Sequence, residues 1–147
     1  MSTVQEEKAK RTLRIFLSYT AADRAQARKL RSLLSQRSNL RIFTTEMLSA
    51  GEDWRSRLRD ELSQCDIFVV LLSSNSVNSP WVLQESGAAW GLNKLIIPIV
   101  THPEVVSKIP APLNEIQSIE VKNFERPEVV NQILEHYEEM AASRKNG

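Results

Sequence analysis

Trp81 and Glu85 stand four residues apart just after the most apolar stretch of the chain, and their types suit a binding-site wall and a catalytic carboxylate. The run is Asp66-Ile-Phe-Val-Val-Leu-Leu-Ser73, then the polar turn Ser74–Asn78, then Ser79-Pro80-Trp81-Val82-Leu83-Gln84-Glu85. Ser79 is a good helix N-cap, and Pro80 suits the first helical position, where a backbone N–H would have no intrahelical partner. The i, i+4 spacing then sets indole and carboxylate on one face of the first two turns. With the preceding strand central in a parallel sheet, that face looks into the crevice at the strands' carboxyl ends, where open α/β sheets bind ligands.

Each residue type also has a plainer explanation. A glutamate in the second turn of a helix is most often solvated or a partner of the helix dipole. Trp54, Trp81 and Trp90, taken singly, fit a core or a subunit contact better than a ligand platform, and Trp90 is assigned to the core. Asp23 is accounted for as a helix-capping residue, and Arg55, Arg57 and Arg59 alternate with carboxylates as a solvated face does. His102 and His136 lack metal-ligand spacing and are expected at the surface, so no metal is expected. Gly87, Ala88 and Ala89 suggest close packing of a helix on a sheet.

The elements that must position these residues alternate strand and helix. Leu13–Tyr19 reads as a strand, and Thr20-Ala-Ala-Asp23 as a capping box for a helix to about Gln36, with Ala27, Leu30, Leu33 and Leu34 facing the core. A second strand, Leu40–Thr45, leads into the loop Glu46–Gly51. The next helix starts near Ser49–Glu52 and presents Trp54, Leu58, Leu62 and Cys65 on one side. After the third strand and the Trp81/Glu85 helix comes a fourth strand, Lys94–Val100, with Pro98 near its end or at a bulge. Residues 101–117 read as loop with at most a short helix. A short fifth strand, Ser118–Val121, and an amphipathic helix from Pro127 to about Met140 complete the unit, the helix using Val130, Ile133, Leu134 and Tyr137. Near-continuous apolar strands imply a parallel sheet covered on both faces, an α/β fold.

At 147 residues and 41% hydrophobic, the chain can build one domain with a real core. Nineteen Lys and Arg against 18 Asp and Glu give no electrostatic case for nucleic acid or an anionic membrane. The single cysteine, Cys65, excludes an intrachain disulfide and suits a reducing, cytoplasmic setting; it is expected in a buried helix position. No apolar run reaches the length of a membrane span, and Met1–Thr12 is polar where a signal peptide would be apolar. Residues 1–12 read as an extension or linker, 13–141 as the domain, and 142–147 as a flexible tail.

Together, Ile15-Phe-Leu-Ser-Tyr19, Ile42-Phe-Thr-Thr-Glu-Met-Leu-Ser-Ala-Gly51, Ser79-Pro-Trp81-x-x-x-Glu85 and Ile97-Pro-Ile99 resemble a TIR (Toll/interleukin receptor) domain of bacterial type over about residues 13–141. The resemblance implies a flavodoxin-like fold with a five-stranded parallel sheet in the order 2-1-3-4-5 and helices on both faces. It also implies that Trp-x-x-x-Glu is the motif of members that cleave NAD+ at the nicotinamide bond, with Glu85 catalytic. Trp81, Ser18, Tyr19, Thr20, Phe43, Trp54 and Ser74 are the expected substrate-binding residues, NAD+ is the substrate, and no cofactor is expected. Thr44 and Thr20 stand where relatives often carry an acidic and a basic residue. The loop carrying Glu46, Met47, Leu48 and Gly51 is expected to dock on a neighbouring domain, head to tail, as part of immune or cell-death signalling.

The implied chemistry needs few groups. Nicotinamide in NAD+ is already cationic, so it leaves as a neutral base without a general acid, unlike the alkoxide that makes glycosidases pair two carboxyl groups. One carboxylate stabilising the oxocarbenium-like ribose is enough. Hydrolysis gives ADP-ribose and internal capture gives a cyclic isomer; both outcomes remain open. A non-catalytic TIR adaptor is the alternative from another class. A phospho-receiver on the same fold is excluded because Ser73-Ser74, not an aspartate, end the third strand. A nucleoside deoxyribosyltransferase is a weaker enzyme alternative.

Overall fold

Three apolar stretches become β1 (Leu13–Ser18), β3 (Ile67–Leu72) and β4 (Leu95–Val100) in a computed structural model that describes residues 11–146. β2 (Leu40–Phe43) and a two-residue β5 (Ile119–Glu120) join them in one sheet of order β2-β1-β3-β4-β5, with every pairing parallel. Most of the N-terminal extension expected over residues 1–12, and Gly147, lie outside the described residues.

Alternation along the strands sorts the core into two layers. Ile15, Leu17, Ile67, Val69, Leu71, Ile97 and Ile99 meet α1 (Arg24–Ser35) and α4 (Glu128–Asn146) through Ala27, Leu30, Leu34, Val130 and Ile133. Phe16, Phe68, Val70, Leu72, Ile96 and Val100 face the other way, onto Leu62 and Cys65 at α2 (Trp54–Gln64), Val82 and Ala89 of α3 (Pro80–Gly91), and the segment carrying Val105, Ile109 and Leu113. Every residue of β3 and β4 is buried, as a sheet covered on both faces requires. The Cys65 thiol is pushed up to about 11, chiefly by burial, which leaves it inert.

Several expectations are corrected. β4 runs through Pro98 without a bulge, in register with Val70. Thr101 N–H turns toward Leu72 of β3 while the Val100 carbonyl turns toward Val121 after β5, so by alternation Pro98 nitrogen faces the β5 side, one residue before that pairing begins at Ile99. Thr20 and Asp23 form no capping box: neither side chain caps a helix, and a backbone bond from Asp23 N–H to the Thr20 carbonyl closes a 3-10 turn, Ala21–Asp23, before α1 begins. Ser49 N–H does bond Glu52 at 2.7 Å, yet α2 starts at Trp54 under an Asp53 cap. α4 runs on to Asn146, and Arg144 donates to the carbonyls of Asn93 (2.6 Å) and Lys94 (3.1 Å), tying this end of the helix to the α3–β4 turn.

Gly87 does not mediate close packing: it is exposed, and a Cβ built on it meets nothing within 4 Å. Gly87→Ala should therefore stabilise the protein by about 0.4–1 kcal/mol, through lower unfolded-state entropy in a helix interior. Urea unfolding checks this; a loss of stability would restore the packing role.

Candidate active site

α3 is capped at both ends. Ser79 Oγ accepts from Val82 N–H at 3.4 Å, with Pro80 at the first position. At the other end Asn93 takes a left-handed φ of 58°, Lys94 N–H bonds Ala89 carbonyl and Asn93 N–H bonds Trp90 carbonyl, a Schellman motif. Between these caps the buried residues are Val82, Glu85, Ser86 and Ala89, the i, i+3, i+4, i+7 stripe. The tryptophans point outward, Trp81 37% and Trp90 58% exposed, so the core assignment of Trp90 is wrong. A helix that buries a glutamate and a serine while displaying two tryptophans inverts the usual preference, and such inversions mark function.

Glu85 is 4% exposed. Ser18, at the carboxyl end of β1, donates its hydroxyl to Glu85 Oε1 at 2.7 Å; Oε2 has no hydrogen-bond partner, nor does Ser86 Oγ. Burial pushes the carboxyl up to about 7, with the Ser18 hydrogen bond opposing the rise. A desolvated carboxylate with one oxygen oriented and the other free is the arrangement expected of a working group, since a structural carboxylate would have both satisfied.

A cleft of about 310 Å³ opens over the carboxyl ends of β1 and β2. Tyr19, Thr20 and Arg24 line one side, Thr45 and Glu46 another, Ser79 and Trp81 a third. Glu85 is not among its lining residues; it is held by Ser18, the chain neighbour of Tyr19. Trp54 meets Trp81 with ring centroids 6.1 Å apart, and lines a neighbouring apolar groove with Leu58, Leu62 and Leu92. Tyr19 hydroxyl lies near Glu46 and Thr44 without reaching hydrogen-bonding geometry with either, and burial followed by Glu46 raises its pKa to about 12.

Of the expected binding residues, Tyr19, Thr20 and Trp81 thus share one cleft, Ser18 holds Glu85, and Trp54 flanks Trp81. Phe43 does not reach the cleft. It is 5% exposed in the core beside Phe16 (5.3 Å), with Arg57 over its outer side. Ser74 is exposed and lines no part of the cleft, whereas its neighbours do work that the sequence reading missed. Buried Asp23, with no capping bond to α1, accepts from Ser73 Oγ (2.6 Å), Asn75 Nδ2 (3.1 Å) and Thr20 Oγ1 (3.1 Å), fastening the cleft wall to the turn after β3. In the loop after β2, Met47 is 45% exposed and Gly51 takes φ +84°, but Leu48, one of the residues expected to dock on a neighbour, is half-buried against the α2 side of the core. Glu46 turns toward Arg24 and Arg28 of α1.

The sequence model of the TIR domain family matches residues 15–134. The chain belongs to the TIR domain family. Solved structures agree in fold. The TIR domain of the Toll-related receptor TRR-2 from Hydra magnipapillata matches with a TM-score of 0.64 at 17% identity, over 82% of this chain and 93% of that one. TIR domains of the activated Roq1 resistosome give 0.62 at 17% identity, over 84% and 98%. A TIR-STING receptor from C. gigas gives 0.67 at 22% identity over 80% of this chain, which spans only 38% of that receptor. No curated protein matches the chain. No helix among the described residues of this TIR domain is long and apolar enough to cross a membrane.

Trp81→Ala in this TIR domain should weaken use of a cleft-bound substrate much more than it weakens the fold. An indole 37% exposed has already lost part of its burial, so the cost should fall well short of the roughly 3–5 kcal/mol of a deleted core aromatic. Calorimetry of the variant checks the point; a loss of that full size would make Trp81 a core residue.

Proposed function

We propose that this TIR domain cleaves NAD+ at the nicotinamide–ribose bond, with Glu85 as the catalytic carboxylate. The observation that carries the reading is the buried Glu85 carboxylate on the inward face of α3, one oxygen held by Ser18 and the other without a partner. As the C–N bond breaks, its electron pair leaves with neutral nicotinamide, and positive charge grows on the ribose. An ionised Glu85 hydrogen-bonded to the ribose hydroxyls stabilises that charge more than the ground state. Water then adds to the anomeric carbon and releases a proton, giving ADP-ribose; capture by a nucleophile of the adenosine half gives a cyclic isomer. NAD+ is a substrate in this account, and no cofactor takes part.

At 4% exposure Glu85 reaches a substrate only after the structure around it opens. We assign that opening to association with other TIR domains through the Met47 loop, and the setting to cytoplasmic immune or cell-death signalling. The same burial favours a second reading, a TIR adaptor that works by association alone. Incubating concentrated protein with NAD+ and separating the products by chromatography decides between them. Nicotinamide with ADP-ribose means hydrolysis, nicotinamide with a cyclic isomer means cyclisation, and undiminished NAD+ at the highest protein concentration leaves the adaptor.

A further inference from the structure

Three guanidinium groups of α1 converge on one carboxylate at the rim of the cleft. Arg24 Nε lies 3.0 Å and Arg28 Nη2 2.9 Å from Glu46 Oε1, and Arg31 Nη1 lies 3.9 Å from Oε2. These arginines recur at i, i+4 and i+7, so one helix face presents all three. A single carboxylate neutralises only one of three positive charges. Arg24 and Glu46 both line the cleft, together with Ser79 and Trp81 at the N-terminal end of α3. The arginine side chains are 50%, 58% and 35% exposed, while Glu46 is 21% exposed beneath them. Glu46 thus occupies the position where an external anion would find the most donors.

We propose that Arg24 and Arg28 form the diphosphate subsite of this TIR domain, and that Glu46 is a built-in anion the diphosphate displaces. The proposal rests on the NAD+ reading for its substrate but on different residues. A diphosphate offers two charges and several oxygens where Glu46 offers one charge and two oxygens, so it answers the surplus positive charge that Glu46 leaves. Guanidinium forks bind phosphate oxygens in pairs, which makes arginine the fitting residue here. Freed from Arg24, Glu46 and its loop can swing away from the rim. Binding of the distal half of the substrate is thereby coupled to movement of the segment that carries Met47.

The arrangement has a signature that a structural ion pair would not share. Arg24→Gln should weaken diphosphate binding, whereas Glu46→Gln should strengthen it, because the competing anion is gone. Binding of ADP to the whole chain is measured by calorimetry or Trp fluorescence, with inorganic pyrophosphate and adenosine as separate arms. ADP and pyrophosphate should both bind, and adenosine should bind much more weakly. Arg24→Gln should raise the ADP dissociation constant about three- to tenfold, as suits half-exposed charge-assisted contacts. Glu46→Gln should lower it by a similar factor, and added salt should shrink both effects. A Glu46→Gln variant that binds ADP more weakly than the parent, or an Arg24→Gln variant that binds equally well, would overturn the subsite. ADP binding with these opposed effects in a protein that leaves NAD+ intact would retain the subsite and remove the NADase reading; NAD+ turnover with a KM unchanged in both variants would do the reverse.

Discussion

Glu85→Gln is expected to do two things at once: to cut NAD+ cleavage by on the order of a hundredfold or more, and to make the protein more stable at mildly alkaline pH. The second effect follows from the ionisation. Folding raises the carboxyl from its ordinary 4.5 to about 7, mainly through burial, so the folded state holds the proton more tightly than the unfolded one. The favourable contribution is therefore complete below about 4.5, fades between 4.5 and 7, and is gone above 7, where the fold carries a desolvated charge. That gap corresponds to on the order of 3 kcal/mol. An amide avoids the charge and still accepts from Ser18. Melting of the two proteins should nearly coincide at about pH 4.5 and separate in favour of the variant at about pH 8. A variant less stable than the parent at pH 8 would mean that Glu85 is a structural anion. Few substitutions of a structural ion pair would stabilise a protein, because removing one partner leaves the other unpaired.

Specific activity should rise steeply with protein concentration. The lone domain displays Met47, Trp54, Trp81, Trp90 and Leu92, an amount of exposed apolar surface that points to association. A contact between the Met47 loop and a different face of a neighbour is head-to-tail and can propagate as an open filament. If only assembled domains turn over, activity per mole should grow roughly in proportion to concentration well below the dissociation constant of that contact. Met47→Glu should remove the rise and leave melting unchanged, because Met47 is exposed. Leu48 is unsuitable for the test, since it packs against the core and a charge there would act on the fold. Specific activity that stays flat through a wide dilution series, in parent and Met47→Glu alike, would show that one domain carries a complete, open site.

Periodicity was enough to place the strands and helices, because uninterrupted apolar strands demand helices on both faces. The order β2-β1-β3-β4-β5 was legible only through the resemblance to the TIR family. Ser79 and Pro80 made the start of α3 legible to the residue. Its orientation was not legible, because α3 carries apolar side chains nearly all round and either face could have been buried. Burial chose Val82, Glu85, Ser86 and Ala89, which turned Trp90 and Gly87 outward against expectation. Phe43 ends β2 two residues before Thr45, which lines the cleft, and its ring fell in the core. Asp23 satisfied a local capping pattern, and that local explanation hid three bonds, two of them to residues fifty or more positions away. Arg24, Arg28 and Arg31 of α1 gave no signal by themselves, because only the fold brings Glu46 beneath them.

The most direct test of the account is nicotinamide release by concentrated protein across a pH series, parent against Glu85→Gln. If the ionised Glu85 carboxylate is the catalytic group, the parent's rate should climb through a single ionisation near pH 7, the value to which burial raises this carboxyl, and level off above it, while Glu85→Gln stays near background throughout. Release by a folded Glu85→Gln variant at the parent's rate, or a parent profile with no ionisation in that range, would contradict it.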